Sequence, residues 1–151
     1  MNKGVTEIKG DLFETDCQVI AHGVNCRNGF GSGVAGQIAK IHPFAKRLYH
    51  RKFEEEGWRL GEIQVVSDRH NNRFFMNCAT QDKYGYDGEV LVNYEAVRTC
   101  MEKARDYCKK YGFTLAIPKI GCGLAGGDWK IVKDILNEVF TEMEVKVYVR
   151  E

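Results

Sequence analysis

Residues Ile117 to Trp129 read IPKIGCGLAGGDW: the end of an apolar run, four glycines within seven residues, then an acid and a large aromatic. Upstream, Thr114 to Ile117 has the character of a buried strand, and downstream Val132, Ile135, Leu136, Val139 and Phe140 fall at helical spacing. The order is therefore strand, glycine loop, helix. The same order occurs earlier: Gln18 to Val24 (QVIAHGV) is a β-branched, nearly continuous apolar strand, NCRNGFGSG is a loop, and VAGQIAKIH opens a helix.

Two strands that run through glycine loops into helices point to an α/β layer fold, in which such loops lie beyond the strand C-termini where ligands bind. The rest of the chain fits this pattern. Short strands are expected at Val5–Lys9, Ile63–Ser67, Arg73–Ala79 and Val145–Val149, with a turn at GDLFET. The helix interrupted at His42-Pro43 resumes and stops at Gly57, and a long amphipathic helix runs from Asn93 to Tyr111 and ends at Gly112. Thr80 to Leu91 lacks periodicity and reads as a surface loop that closes over a ligand or stays open.

No repeat or linker divides residues 1–151, so a single domain is expected. The 22 basic and 21 acidic residues leave a formal charge of +1, which speaks against nucleic acid as a partner. The N-terminus MNKGVTEIKG lacks the apolar core of a signal peptide, and no apolar run reaches the length of about 18 residues that a membrane span needs. The expectation is a soluble cytoplasmic protein without membrane contact. Its six cysteines are expected to be reduced, and their spacing matches no zinc motif, so no metal and no cofactor are called for.

Glycine removes the Cβ that would keep a ligand from the backbone, and a helix N-terminus adds N–H donors and partial positive charge. Two such loops in one domain suit a diphosphate gripped from both sides. Gly31-Ser-Gly33-Val-Ala-Gly36 fits the dinucleotide fingerprint G-x-G-x-x-G, but six residues, Asn25 to Phe30, separate it from the strand, which the dinucleotide turn does not allow.

IKGDLFE, VIAHGVNCRNGFGSGVAGQI, NCATQDKYGYDG with VNYEAV, and IPKIGCGLAGGDW together resemble the macro domain family, in order over almost the whole chain. The resemblance is to the branch that includes ADP-ribose 1″-phosphate phosphatases and the terminal ADP-ribose glycohydrolase. It implies a three-layer α/β/α sandwich around a mixed sheet of about six strands. ADP-ribose, an ADP-ribose derivative or an ADP-ribosylated protein would be the partner.

By that resemblance Asp11 takes the adenine amino group, with Leu12 and Phe13 beside it, and Asn25 approaches the distal ribose, its amide donating to and accepting from the sugar hydroxyls. Gly31, Ser32, Gly33, Val34 and Ala35 form the first diphosphate loop, and Lys119, Ile120, Gly121, Cys122, Gly123, Leu124 and Ala125 the second. The glycohydrolases carry a catalytic lysine after the middle strand and an aspartate directly after GCGL, where this chain has Gln81 and Ala125, with Lys83 and Asp128 displaced from those positions.

Hydrolysis of ADP-ribose 1″-phosphate is accordingly the expected activity. His22, Asp128 and Asn25 are the catalytic candidates, and Asp87 is a more distant one. Two other readings stay open: a module that binds ADP-ribose without turnover, and a de-ADP-ribosylating glycohydrolase in which the substrate's own diphosphate positions the water. His22 also reads as a hydrogen-bonded core residue, Asp128 as a helix cap and Asp11 as a turn residue.

Overall fold

The helix from Tyr94 shows how local sequence sets the elements. Asn93 caps it by accepting from the Ala96 amide at 2.9 Å, and Gly112 ends it in the left-handed region at φ 69°. Its buried stripe of Ala96, Val97, Cys100, Met101, Ala104 and Cys108 follows the apolar periodicity of the sequence. A computed structural model describes residues 3–84, 90–123 and 125–150. Its strands are β1 (Gly4–Lys9), β2 (Val19–Asn25), β3 (Ile63–Asp68), β4 (Arg73–Gln81), β5 (Leu115–Ile117) and β6 (Glu144–Val149). The helices are α1 (Gly33–Ile41), α2 (Pro43–Glu55), α3 (Tyr94–Tyr111) and α4 (Trp129–Val139), and Leu12–Glu14 make one 3-10 turn.

The six strands form one mixed sheet in the order β1-β6-β5-β2-β4-β3. Every neighbouring pair is parallel except β3 with β4. The three layers that the resemblance implies are present: α1 and α2 cover one face, α3 and α4 the other. Because β2 is sandwiched, both of its faces are apolar. Val19 and Ala21 join the core under α3 and α4, while Ile20 and Val24 join the core under α1 and α2. This is why the segment reads as a continuous apolar run and not as an alternating one.

Strand ends differ from the sequence reading where pairing, not composition, decides them. β4 continues past Ala79 to Gln81 because β2 follows it there, with a register shift between Val24 and Asn25 that pairs Asn25 with Gln81. Thr114 stands outside β5, its amide and hydroxyl both donating to Gln18 Oε1 at 2.8 and 2.9 Å. Among the described residues, no helix is long and apolar enough to cross a membrane.

Candidate functional site

From β2 the chain turns to one side of the sheet, toward β4 and β3, and from β5 to the other, toward β6. β2 and β5 are neighbours, so their C-terminal ends make a topological switch point, where open α/β sheets leave a crevice. A cavity of about 830 Å³ occupies this place, within the range of small-molecule sites. It runs along successive strand ends, from Tyr148–Arg150 at β6, past Pro118–Gly123 beyond β5 and Asn25 and Gly29–Ala35 at and beyond the end of β2, to Thr80, Gln81 and Tyr84 at β4.

The first loop is organised by Asn25. Its Oδ1 accepts from the amides of Arg27 and Gly29 at 2.9 and 3.1 Å and from the Tyr49 hydroxyl at 3.0 Å, while its Nδ2 donates to Gly29 O at 2.8 Å. The accepting side of this amide is thus filled by the protein, which corrects the expectation that it both donates to and accepts from a ligand; one N–H is left to donate. At Gly31 a Cβ would meet nothing within 4 Å, and the same holds for Gly33, which starts α1 at φ +57°. Gly36 serves packing instead, since a Cβ there would stand 2.8 Å from Gly31 O.

The glycines of the second loop divide in the same way. Gly123 borders open space, whereas a Cβ on Gly121 would lie 2.6 Å from Val92 Cγ2 and one on Gly127 only 2.5 Å from Gly121 O. The loop folds on itself through Gly127 N to Gly121 O at 2.8 Å, and it is tied to the segment before α3 by Leu91 N to Ala125 O at 2.7 Å. Asp128 caps α4, accepting from Lys130 N at 2.9 Å, and it does not line the cavity. The start of α4 does not border the cavity, so the second loop offers its backbone and Lys119 and not a helix terminus, which corrects the expected pairing of both loops with helix starts.

His22 is 1% exposed, with its ring edge-on to Phe30. Its Nε2 lies 2.6 Å from Asn77 Oδ1, and Asn77 Nδ2 donates to Gln64 Oε1 at 3.0 Å, which fixes the Asn77 amide as an acceptor and the histidine as the Nε2–H tautomer. Nδ1 is buried without a partner among the described residues. Burial pushes the imidazole down to about 4 against the smaller opposing effect of Asn77, so the ring is neutral at pH 7. Burial raises the Cys122 thiol, with Lys119 lowering it and Asp128 raising it in turn.

Lys119 and Arg150 give the lining its cationic character, and among the described residues that line the cavity there is no Asp or Glu. Asp11 stands at the end of β1, capping the 3-10 turn by accepting from Phe13 N at 2.9 Å, with Leu12 buried; none of the three borders the cavity itself. Leu124 and Asp87 lie outside the described residues, as does the middle of the Thr80–Leu91 loop. Sequence reading missed Thr80, Tyr84, Tyr148, Val149 and Arg150 as lining residues. Each sits at or just beyond the C-terminal end of a parallel strand, which was the available signal.

The family model described as Macro domain matches residues 21–136. The chain belongs to the macro domain family. An uncharacterized 17.5 kDa protein of Enterobacteria phage T4 is 33% identical over 95% of this chain and 94% of its own length. The ADP-ribose glycohydrolase OARD1 of Bos taurus is 29% identical, covering 96% and 90%. The ADP-ribose 1″-phosphate phosphatase of Saccharomyces cerevisiae is 24% identical, covering 95% and 97%. A solved structure of a protein of unknown function from Bacteroides thetaiotaomicron superposes with a TM-score of 0.85 at 29% identity, covering 95% of this chain and 96% of that one. In this macro domain the family match spans β2 through α4, and so includes both glycine loops.

Proposed function

We propose that this macro domain binds ADP-ribose and hydrolyses an ADP-ribose derivative, with ADP-ribose 1″-phosphate as the substrate. The observation that carries the reading is the linear order of the strand ends. Asp11 follows β1, Arg150 follows β6, the two open glycine loops follow β5 and β2, and Thr80 and Gln81 end β4. At about 4.8 Å per strand, the cavity from β6 to β4 extends on the order of 14 Å. That order receives an extended nucleoside diphosphate sugar, with adenine toward β1 and β6, diphosphate between the loops and the second ribose toward β4. Relatives named as phosphatase and as glycohydrolase both support a hydrolase.

In the reaction a water oxygen attacks phosphorus, the bond from phosphorus to the sugar oxygen breaks, and ADP-ribose leaves with a proton on that oxygen. Lys119 and the loop amides balance the anionic charge, Asn25 donates its remaining N–H toward the ribose, and His22, neutral and held through Nε2 by Asn77, lines the site. The test is phosphate release from ADP-ribose 1″-phosphate beside calorimetry with ADP-ribose. Turnover with binding supports the reading, and binding without phosphate release sinks the hydrolase. A second reading, an ADP-ribose-binding module, is favoured by one observation: neither a carboxylate nor the lysine of the glycohydrolases lines the described cavity, Gln81 and Ala125 standing there.

Asp128 has its own test. As a cap alone, Asp128→Ala costs about 1 kcal/mol in urea unfolding and Asp128→Asn restores it, because asparagine caps equally well. A loss of phosphate release common to both variants would instead give its charge a part in the chemistry. The six free cysteines, five of them buried, fit a reducing compartment, and we place the protein in the cytoplasm as one domain over residues 1–151.

A further inference from the structure

The end of β4 holds a hydroxyl that no described residue satisfies. Thr80 is fully buried, and its Oγ1 has no hydrogen-bond partner among the described residues. Its backbone is fixed, since Thr80 O accepts from Asn93 N at 2.8 Å, the residue that caps α3. Three segments converge on it. A Cβ on Gly23 of β2 would stand 2.5 Å from Oγ1, so the hydroxyl fits only because residue 23 has no side chain, and that same Cβ would stand 3.5 Å from Ile120 Cγ1 of the second loop. Thr80 also lines the cavity.

A buried hydroxyl without a partner loses its hydration and gains nothing in return, so such groups are rare in folded proteins. Valine has nearly the same shape and would fill this place without that loss. The hydroxyl is therefore of use to something that enters the cavity. The surroundings select its chemistry. Lys119 and Arg150 stand toward β5 and β6, where an anion belongs. Near Thr80 the lining is neutral: Gly23, Ile120 and Gln81, with His22 uncharged and on the opposite face of β2.

We propose that Thr80 is a specificity-determining residue, its Oγ1 hydrogen-bonding an uncharged hydroxyl of the sugar that lies beyond the diphosphate. The inference rests on the ADP-ribose reading above and deepens it: Thr80 separates a nucleoside diphosphate that carries a second sugar from one that ends at phosphate.

The full chain, Thr80→Val and Thr80→Ser are titrated with ADP-ribose and with ADP by calorimetry. Loss of one neutral hydrogen bond weakens ADP-ribose binding by Thr80→Val about threefold to tenfold, leaves ADP unchanged, and is recovered in Thr80→Ser. An equal loss for both ligands, no loss for either, or a serine variant that behaves like valine overturns the assignment. In the unaltered protein the ¹³C-labelled Thr80 methyl resonance shifts with ADP-ribose and not with ADP; the same shift with both also overturns it, whether or not the valine variant folds. Absence of any ADP-ribose binding by the unaltered chain removes the underlying reading as well, which distinguishes the two failures.

Discussion

Gly127→Ala is expected to lower stability by about 2–4 kcal/mol, whereas Gly123→Ala, four residues earlier in the same loop, leaves it within about 0.5 kcal/mol. At position 127 the added methyl meets a backbone oxygen, Gly121 O, at 2.5 Å and Val92 Cγ1 at 2.8 Å. Backbone cannot step aside as a side-chain tip can, so the loop must open and give up the Gly127 N to Gly121 O bond. The bonds from Leu91 and Val92 to Ala125 O carry the disturbance to the start of α3. At position 123 the methyl enters open space in the cavity.

Binding should therefore divide the opposite way from stability. Gly123→Ala folds normally and loses ADP-ribose affinity by tenfold or more, because its Cβ occupies the approach to the loop backbone. Urea unfolding and calorimetry on the two variants check this. Equal destabilisation by both, or undiminished affinity in Gly123→Ala, would contradict the division of the glycines into packing and binding positions.

The second large effect is a loss of stability in acid that traces to His22. Its folded value of about 4 lies below the ordinary 6.5, so the unfolded chain takes up a proton that the folded chain refuses. Stability assigned to this residue is intact above about pH 6.5, declines as the pH falls toward 4, and levels off below that. The full difference is on the order of 3 kcal/mol. His22→Gln keeps an N–H donor for Asn77 and does not titrate. Denaturant unfolding from pH 7.5 to 4 should show a steeper decline in the native chain than in His22→Gln, with the carboxylates common to both cancelling. Parallel curves would mean that His22 protonates within the fold.

Much of the architecture was legible because strands and helices follow from local chemistry. The apolar run of β2, the stripe and caps of α3, the restart at Pro43 and both glycine loops all appear in the sequence at or near their places. Asn25 was readable as a site-loop residue, but not its saturation, since Tyr49 reaches it from a helix 24 residues away. Asp128 shows the same limit. A carboxylate before an amphipathic helix reads as cap or acid alike, and only its bond to Lys130 N and its absence from the cavity lining distinguish them.

The sequence alone determined the family, the alternation of strand and helix, and the presence of two backbone-exposing loops, because each depends on residues near one another in the chain. Tertiary structure decided which strand ends become neighbours. β6 lies between β1 and β5, which brings Tyr148 and Arg150 to the cavity beside a loop that starts about 30 residues earlier. It also decided which glycines bear on a ligand and which on a neighbour, and it left Thr80 with an unanswered hydroxyl. Those outcomes depend on atoms brought together across the sheet, where side-chain volume and hydrogen-bond partners come from segments that no local pattern links.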